Sequence, residues 1–109
     1  MKRKAKIQIK EGSGNILADP GFANPEREEL RARLNLQIYR LIKERSLTQA
    51  QAGEVLGIKQ PHVSSLMRGR SGSFSVERLM NFLVALGQDV QITLRSSRKH
   101  RGEVSVIVA

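Results

Sequence analysis

No cysteine and no tryptophan occur among the 109 residues, and histidine occurs only at His62 and His100. Thiol nucleophiles, disulfides and cysteine-ligated zinc are thereby excluded, and two histidines are too few for an all-histidine metal site. The lack of cysteine fits a reducing cytoplasm. With three phenylalanines and one tyrosine, the stacking platforms on which RNA-binding sheets rely are scarce. No apolar run approaches the ~18–20 residues that cross a bilayer, so no membrane partner is expected. The basic start, residues 1–6, is followed by no long apolar stretch of the kind a secretory signal needs. No Ser/His/Asp set, carboxylate pair or phosphate loop stands out. No catalytic residue, cofactor or metal is therefore assigned, and an enzyme is the least favoured class.

Negative charge is the remaining deficit. Ten Asp+Glu face 19 Lys+Arg, a formal net charge of +9, and the excess is unevenly placed. Residues 1–10 carry five cations and no anion, and residues 95–101 carry four cations (Arg95, Arg98, Lys99 and Arg101) and no anion. The block between Phe22 and Leu94 holds ten cations and seven anions. A nearly balanced middle flanked by two basic stretches is the distribution expected of a polyanion binder. Basic tails that merely aid solubility are the plainer alternative. Nucleic acid ranks ahead of a membrane surface because neither flank reads as an amphipathic basic helix.

A chain of this length makes one domain, with three segments: an N-terminal arm (1–24), a helical domain (25–87) and a C-terminal stretch (88–109). In the arm, Ile7-Gln8-Ile9 could form a short strand, and Ala18-Asp19-Pro20-Gly21 is a turn signal. Asn24-Pro25-Glu26 announces a helix: Asn24 can cap, Pro25 suits the first helical position, and Glu26, Glu28 and Glu29 complement the dipole. Leu30, Leu34, Ile38, Leu41 and Ile42 then recur on one face, with Leu36 and Tyr39 off the stripe. Cations at the end of this helix, near residues 43–46, meet the negative end of its dipole.

Thr48 and Gln51 form a capping box for a short second helix, which is expected to bury Ala52, Val55 and Leu56 and to stop at Gly57. Pro61 opens a third helix burying Val63, Leu66 and Met67. Ser75 caps a fourth, with Phe74 and Leu79 as a hydrophobic staple, and Val76, Leu79, Met80, Leu83 and Leu86 inward as far as Gly87. Beyond Gly87 the period changes to two: Val90, Ile92 and Leu94, then Val104, Val106 and Val108, alternate as two strands. A terminal β-hairpin with a basic loop is expected, packed on the helices or paired with another chain because a lone hairpin is marginal.

Two short helices joined by a glycine turn make a helix-turn-helix from Thr48 to Arg68, with Gly53 at the crossing point and Val63 and Leu66 locking the second helix to the first. The stretch Leu47-Thr48-Gln49-Ala50-Gln51-Ala52-Gly53-Glu54-Val55-Leu56-Gly57-Ile58, continued by Val63-Ser64-Ser65-Leu66-Met67-Arg68-Gly69, closely resembles the Xre (Cro/C1-type) helix-turn-helix family of phage repressors and bacterial regulators. Ser13 to Phe22, Phe74 to Leu79 and Leu86 to Val90 extend the resemblance to Xre-family antitoxins, partners of RelE/HigB-like toxins. It covers about residues 13–95. Pro20 and Gly53 depart from it: an apolar residue and an alanine are the more usual occupants. The fold class this implies is mainly α, a four-to-five-helix Xre-type domain with the C-terminal β-hairpin.

In a helix-turn-helix the N-terminal part of the second helix enters the major groove. Gln60, Pro61, Ser64 and Ser65 are therefore the candidate base contacts. Gln60 suits adenine, Pro61 a thymine methyl, and Ser65 several bases. Gln49, Lys59, Arg68 and Arg70 are the candidate phosphate contacts, which set register without reading sequence. His62 reads as a packing or phosphate-facing residue. The expected function is a sequence-specific, homodimeric repressor bound to double-stranded DNA in the cytoplasm, associated with the nucleoid through that binding. The resemblance adds a RelE/HigB-like toxin as partner and autoregulation of the toxin–antitoxin operon. The alternative is a stand-alone Xre-type or phage-like regulator without a toxin, and a basic RNA-binding protein is a third reading. Residues 1–21 admit two uses: docking a toxin through Ile7, Ile9, Ile16, Leu17 and Phe22, or clamping the DNA backbone with lysines.

Overall fold

The computed structural model of the chain describes residues 24–70 and 74–109. Expectations for the N-terminal arm, including the Ile7–Ile9 strand, lie outside these residues. Among the described residues there are four helices: α1 (Asn24–Glu44), α2 (Gln49–Leu56), α3 (Gln60–Met67) and α4 (Val76–Ala85). The long α1 packs against α4 and α3, and α2 packs against α3 and α4. None of the four is long and apolar enough to cross a membrane.

The apolar stripe of α1 is the spine of the core. Leu30, Leu34, Ile38 and Ile42 are buried, and Leu41 packs at their edge. They meet Leu79, Met80, Leu83 and Leu86 from α4 and its end, with Ala52 and Leu56 from α2 and Val63 and Leu66 from α3 completing one cluster. Phe74 and Leu79, the expected staple across the Ser75 cap, both belong to it. Some positions differ from the expected burial. Val55 is exposed, because α2 has only eight residues and turns the Ala52–Leu56 edge inward. Phe82, absent from the expected set, is buried, since at three and four residues from Leu79 and Leu86 it shares their side of α4. Met67 is half-buried against the core.

The starts of α2 and α4 and the ends of all four helices are tied down locally. The Thr48–Gln51 capping box forms in both directions: the Thr48 N–H donates to Gln51 Oε1 at 2.9 Å, and the Gln51 N–H donates to Thr48 Oγ1 at 3.0 Å. The arrangement contributes about 1 kcal/mol. Ser75 Oγ accepts from the Arg78 N–H at 3.0 Å. All four helices close alike, on one residue with left-handed φ: Ser46 (53°), Gly57 (73°), Gly69 (76°) and Gly87 (88°). The N–H that follows reaches back five residues in each case: Leu47 to Ile42 O, Ile58 to Gly53 O, Arg70 to Ser65 O, and Gln88 to Leu83 O. That is the hydrogen bond of a Schellman closure. Arg45 adds a cross-tie by donating to Leu86 O, which fastens the end of α1 to the end of α4.

The β-hairpin expected over residues 88–109 does not form; no strand is present among the described residues. The chain after Gly87 is non-helical, and only Val90 and Val106 pack on the core. Leu94 is 84% exposed and Ile107 is 78% exposed. Arg101 returns to Glu26 at 3.1 Å and Lys99 pairs with Glu103 at 3.3 Å, surface pairs that contribute little. The physical reason is partnership. Period-two alternation marks residues that fit a half-covered strand, but the helical core has room for one side chain from each arm of this segment. A two-stranded ribbon without a covering layer is marginal.

Ser46 is the one non-glycine among the left-handed closing residues, and a side chain in that region costs roughly 1–2 kcal/mol. Ser46→Gly removes this strain, partly offset by added freedom of the unfolded chain. We expect a net stabilisation of about 0.5–1 kcal/mol, seen as a higher urea midpoint with an unchanged slope. An unchanged or lower midpoint would show that Ser46 is unstrained.

Candidate nucleic-acid interface

The geometry of the interface begins at Gly53. It is fully enclosed in the α2–α3 turn, and a Cβ built there would lie 2.7 Å from Ile58 O and 3.6 Å from Val63 Cγ2. Contact with a backbone carbonyl at that distance cannot be relieved by moving a side chain. The glycine therefore lets the turn close until Val63 is completely buried. Gly57 reverses the chain, Ile58 packs at the core's edge, and Lys59 enters α3 in an extended conformation with φ −78° and ψ 154°. Lys59 makes no side-chain cap, and Pro61 stands in the first turn of α3, where its missing N–H leaves no donor unsatisfied.

With Val63 and Leu66 turned inward, the 3.6-residue period puts residues 60, 61, 64, 65 and 68 on the outer side of α3. Gln60 and Pro61 are exposed, and Ser64 and Ser65 are half-buried. Ser65 Oγ donates to Pro61 O at 3.3 Å, so its hydroxyl faces other groups as an acceptor. Arg68 Nη1 donates to Ser64 Oγ at 2.6 Å. This bond lays the Arg68 guanidinium along α3 instead of letting it swing free, and leaves the Ser64 hydroxyl proton free to donate. The four candidate base contacts and Arg68 thus share one face.

The cations bracket that face. Lys59 precedes α3 and Arg70 follows its closing turn, one beyond each end of a helix about 12 Å long. Lys59, Arg68 and Arg70 are all exposed, and none is ion-paired among the described residues. Gln49, the remaining candidate phosphate contact, is half-buried at the first residue of α2. His62 is exposed and lies edge-on to Phe74, with ring centroids 6.0 Å apart. Among the described residues no group of three or more His, Cys, Asp or Glu could hold a metal ion.

Two residues that shape this region escape sequence reasoning. Asn35 is 96% buried, and its Nδ2 donates to Leu66 O at 3.1 Å, a carbonyl in the last turn of α3 that also accepts from the Gly69 N–H at 3.0 Å. α1 is thereby hydrogen-bonded directly to α3. A polar residue beside the apolar stripe at 34, 38 and 42 was the available signal. The second is Arg78, whose guanidinium carbon lies 5.5 Å from the Phe74 ring centroid and 5.3 Å from that of Phe82. Its signal was the i, i+4, i+8 spacing of Phe74, Arg78 and Phe82.

Comparison with known proteins agrees with this geometry. A family model described as a helix-turn-helix domain matches residues 16–95. A Mycobacterium tuberculosis protein named, provisionally, antitoxin HigA2 is 37% identical over 73 residues, which is 64% of this chain and 72% of that protein. A solved structure described, again provisionally, as an XRE-family transcriptional regulator superimposes with a TM-score of 0.76 at 39% identity, covering 80% of this chain and all of the other.

Proposed function

The chain belongs to the helix-turn-helix domain family, with the Xre-type arrangement, and on that premise we propose that it is a sequence-specific repressor that binds double-stranded DNA as a homodimer. The observation that carries this reading is the outer face of α3. Gln60, Pro61, Ser64 and Ser65 stand clear of the core, and Arg68 is aligned with them through Ser64. Lys59 and Arg70 flank them without carboxylate partners among the described residues. Side-chain amide and hydroxyl groups read base edges, while flanking cations hold phosphates and set register. The site of action is the chromosome, in the cytoplasm.

Similarity to a protein named as an antitoxin supports the finer reading, that the chain neutralises a RelE/HigB-like toxin and represses its own operon. For such a partner α1 offers Leu36 and Tyr39, both exposed. Dimerisation has its own support. A single helix-turn-helix reads few base pairs, and two-fold symmetry is the usual way to extend the site. Leu94, Ile107 and Val108 are exposed in the C-terminal segment, and a second copy of the chain is the simplest cover for them.

The roles on α3 separate by experiment. Gln60→Ala is expected to cost about 1–3 kcal/mol at its preferred base and to relax preference there. Arg70→Ala is expected to weaken all duplexes alike and to lower the salt slope by about one. Binding to a randomised duplex library, read by sequencing at two salt concentrations, measures both. Identical base-preference profiles for the two variants would contradict the assignment.

Dimerisation is tested with Leu94→Glu and Ile107→Glu, since both side chains are solvent-exposed in the single chain and neither change disturbs its core. Light scattering is expected to show a dimer for the unaltered protein and a monomer for the double variant, with unchanged helical circular dichroism. A double variant that dimerises as tightly as the unaltered protein removes the C-terminal segment from the interface.

A further inference from the structure

A guanidinium laid over the two aromatic rings beside the recognition helix has no part yet in the site. Arg78 is exposed and forms no ion pair among the described residues, although Glu77 is its neighbour in sequence. Its backbone N–H is committed to the Ser75 cap, so only the side chain is available. The guanidinium carbon lies within cation–π distance of both Phe74 and Phe82, whose rings meet edge to face at 5.1 Å between centroids. Both rings are buried and belong to the core. They hold the arginine as a rigid platform would, on an aromatic ladder that continues to His62 in the first turn of α3, 6.0 Å from Phe74.

We propose that Arg78 is a phosphate contact, gripping the DNA backbone beside the groove that receives the first turn of α3. The inference rests on the reading of α3 as the recognition helix. Phe74 contacts both His62 and Arg78, so the guanidinium stands one ring away from the first turn of α3, within reach of the strand wall of a duplex engaged by residues 60–65. Stacking leaves the outward-facing guanidinium donors free for a phosphate. A side chain already fixed in place gives up less freedom on binding than a free lysine does. The contact carries no base information. Its effect is to set the angle of α3 in the groove together with Lys59 and Arg70.

Arg78→Met keeps an unbranched apolar chain over the rings and removes the charge. With the full chain, a fixed random-sequence 30-base-pair duplex and a duplex selected for tight binding, the variant is expected to lose affinity for both by the same factor. Loss of one phosphate contact lowers the salt slope by about 0.9, which is about eightfold in affinity at 0.1 M salt and vanishes towards 1 M. The melting temperature of the free protein is expected to stay within about 2 °C, as for a surface change that keeps the rings covered. Unchanged affinity and slope in Arg78→Met, with the unaltered protein binding both duplexes, would overturn this assignment and leave the reading of α3 intact. Failure of the unaltered protein to bind either duplex would overturn both. A loss confined to the selected duplex would also overturn it, by making Arg78 a base contact.

Discussion

An eight-residue helix is not stable in water by itself, and the proposed reading surface stands on one. Everything that fixes α3 is therefore tertiary. Val63 and Leu66 are buried against the other helices, the turn before it closes because Gly53 lets the Ile58 carbonyl approach, and Asn35 on α1 bonds the Leu66 carbonyl at its far end. Removing any of these changes the direction in which Gln60 to Arg68 point before it changes their chemistry. α1 is accordingly more than a scaffold. It supplies the longest stripe of the core, the Asn35 bond to α3 and the Arg45 tie to the end of α4.

The division of the chain into two kinds of surface follows from this. The aligned Ser64–Arg68 pair, with Lys59 and Arg70 unpaired among the described residues, makes a polar, cationic face that suits the proposed duplex. Elsewhere α1 carries Leu36 and Tyr39 outward, and the segment after Gly87 carries Leu94, Ile107 and Val108. Scattered apolar exposure on a small domain is ordinary. Its continuation along a segment with no strand pairing is what the proposed second copy would cover.

Much of the fold was legible in the sequence because it rests on local rules. The capping box at Thr48 and Gln51, the Gly57 and Gly87 helix ends, the Ser75 cap and the 30/34/38/42 stripe each depend on a few neighbouring residues, and each is found in place. The misjudged positions depend on what lies across space. Val55 has helical spacing for burial, but no element covers it. The alternation after Gly87 reads as two strands, but a strand needs an edge to pair with, and none is present among the described residues. Of the candidate site residues, the set on α3 that stands clear of the core was readable from the helix-turn-helix pattern. Asn35 and Arg78 were not, because their roles lie in a carbonyl 31 positions away and in two rings that only the packed α4 brings together.

The central claim, that a short helix held by the core presents its outer face to DNA, is tested most directly by backbone amide chemical-shift mapping during titration with a tight-binding duplex. The account predicts that the largest shifts fall at residues 49, 59, 60, 62–65 and 68–70, with the buried α1 positions 34, 38 and 42 little moved. Shifts concentrated on the outer face of α1 or on residues 88–109, with α3 unaffected, would contradict it.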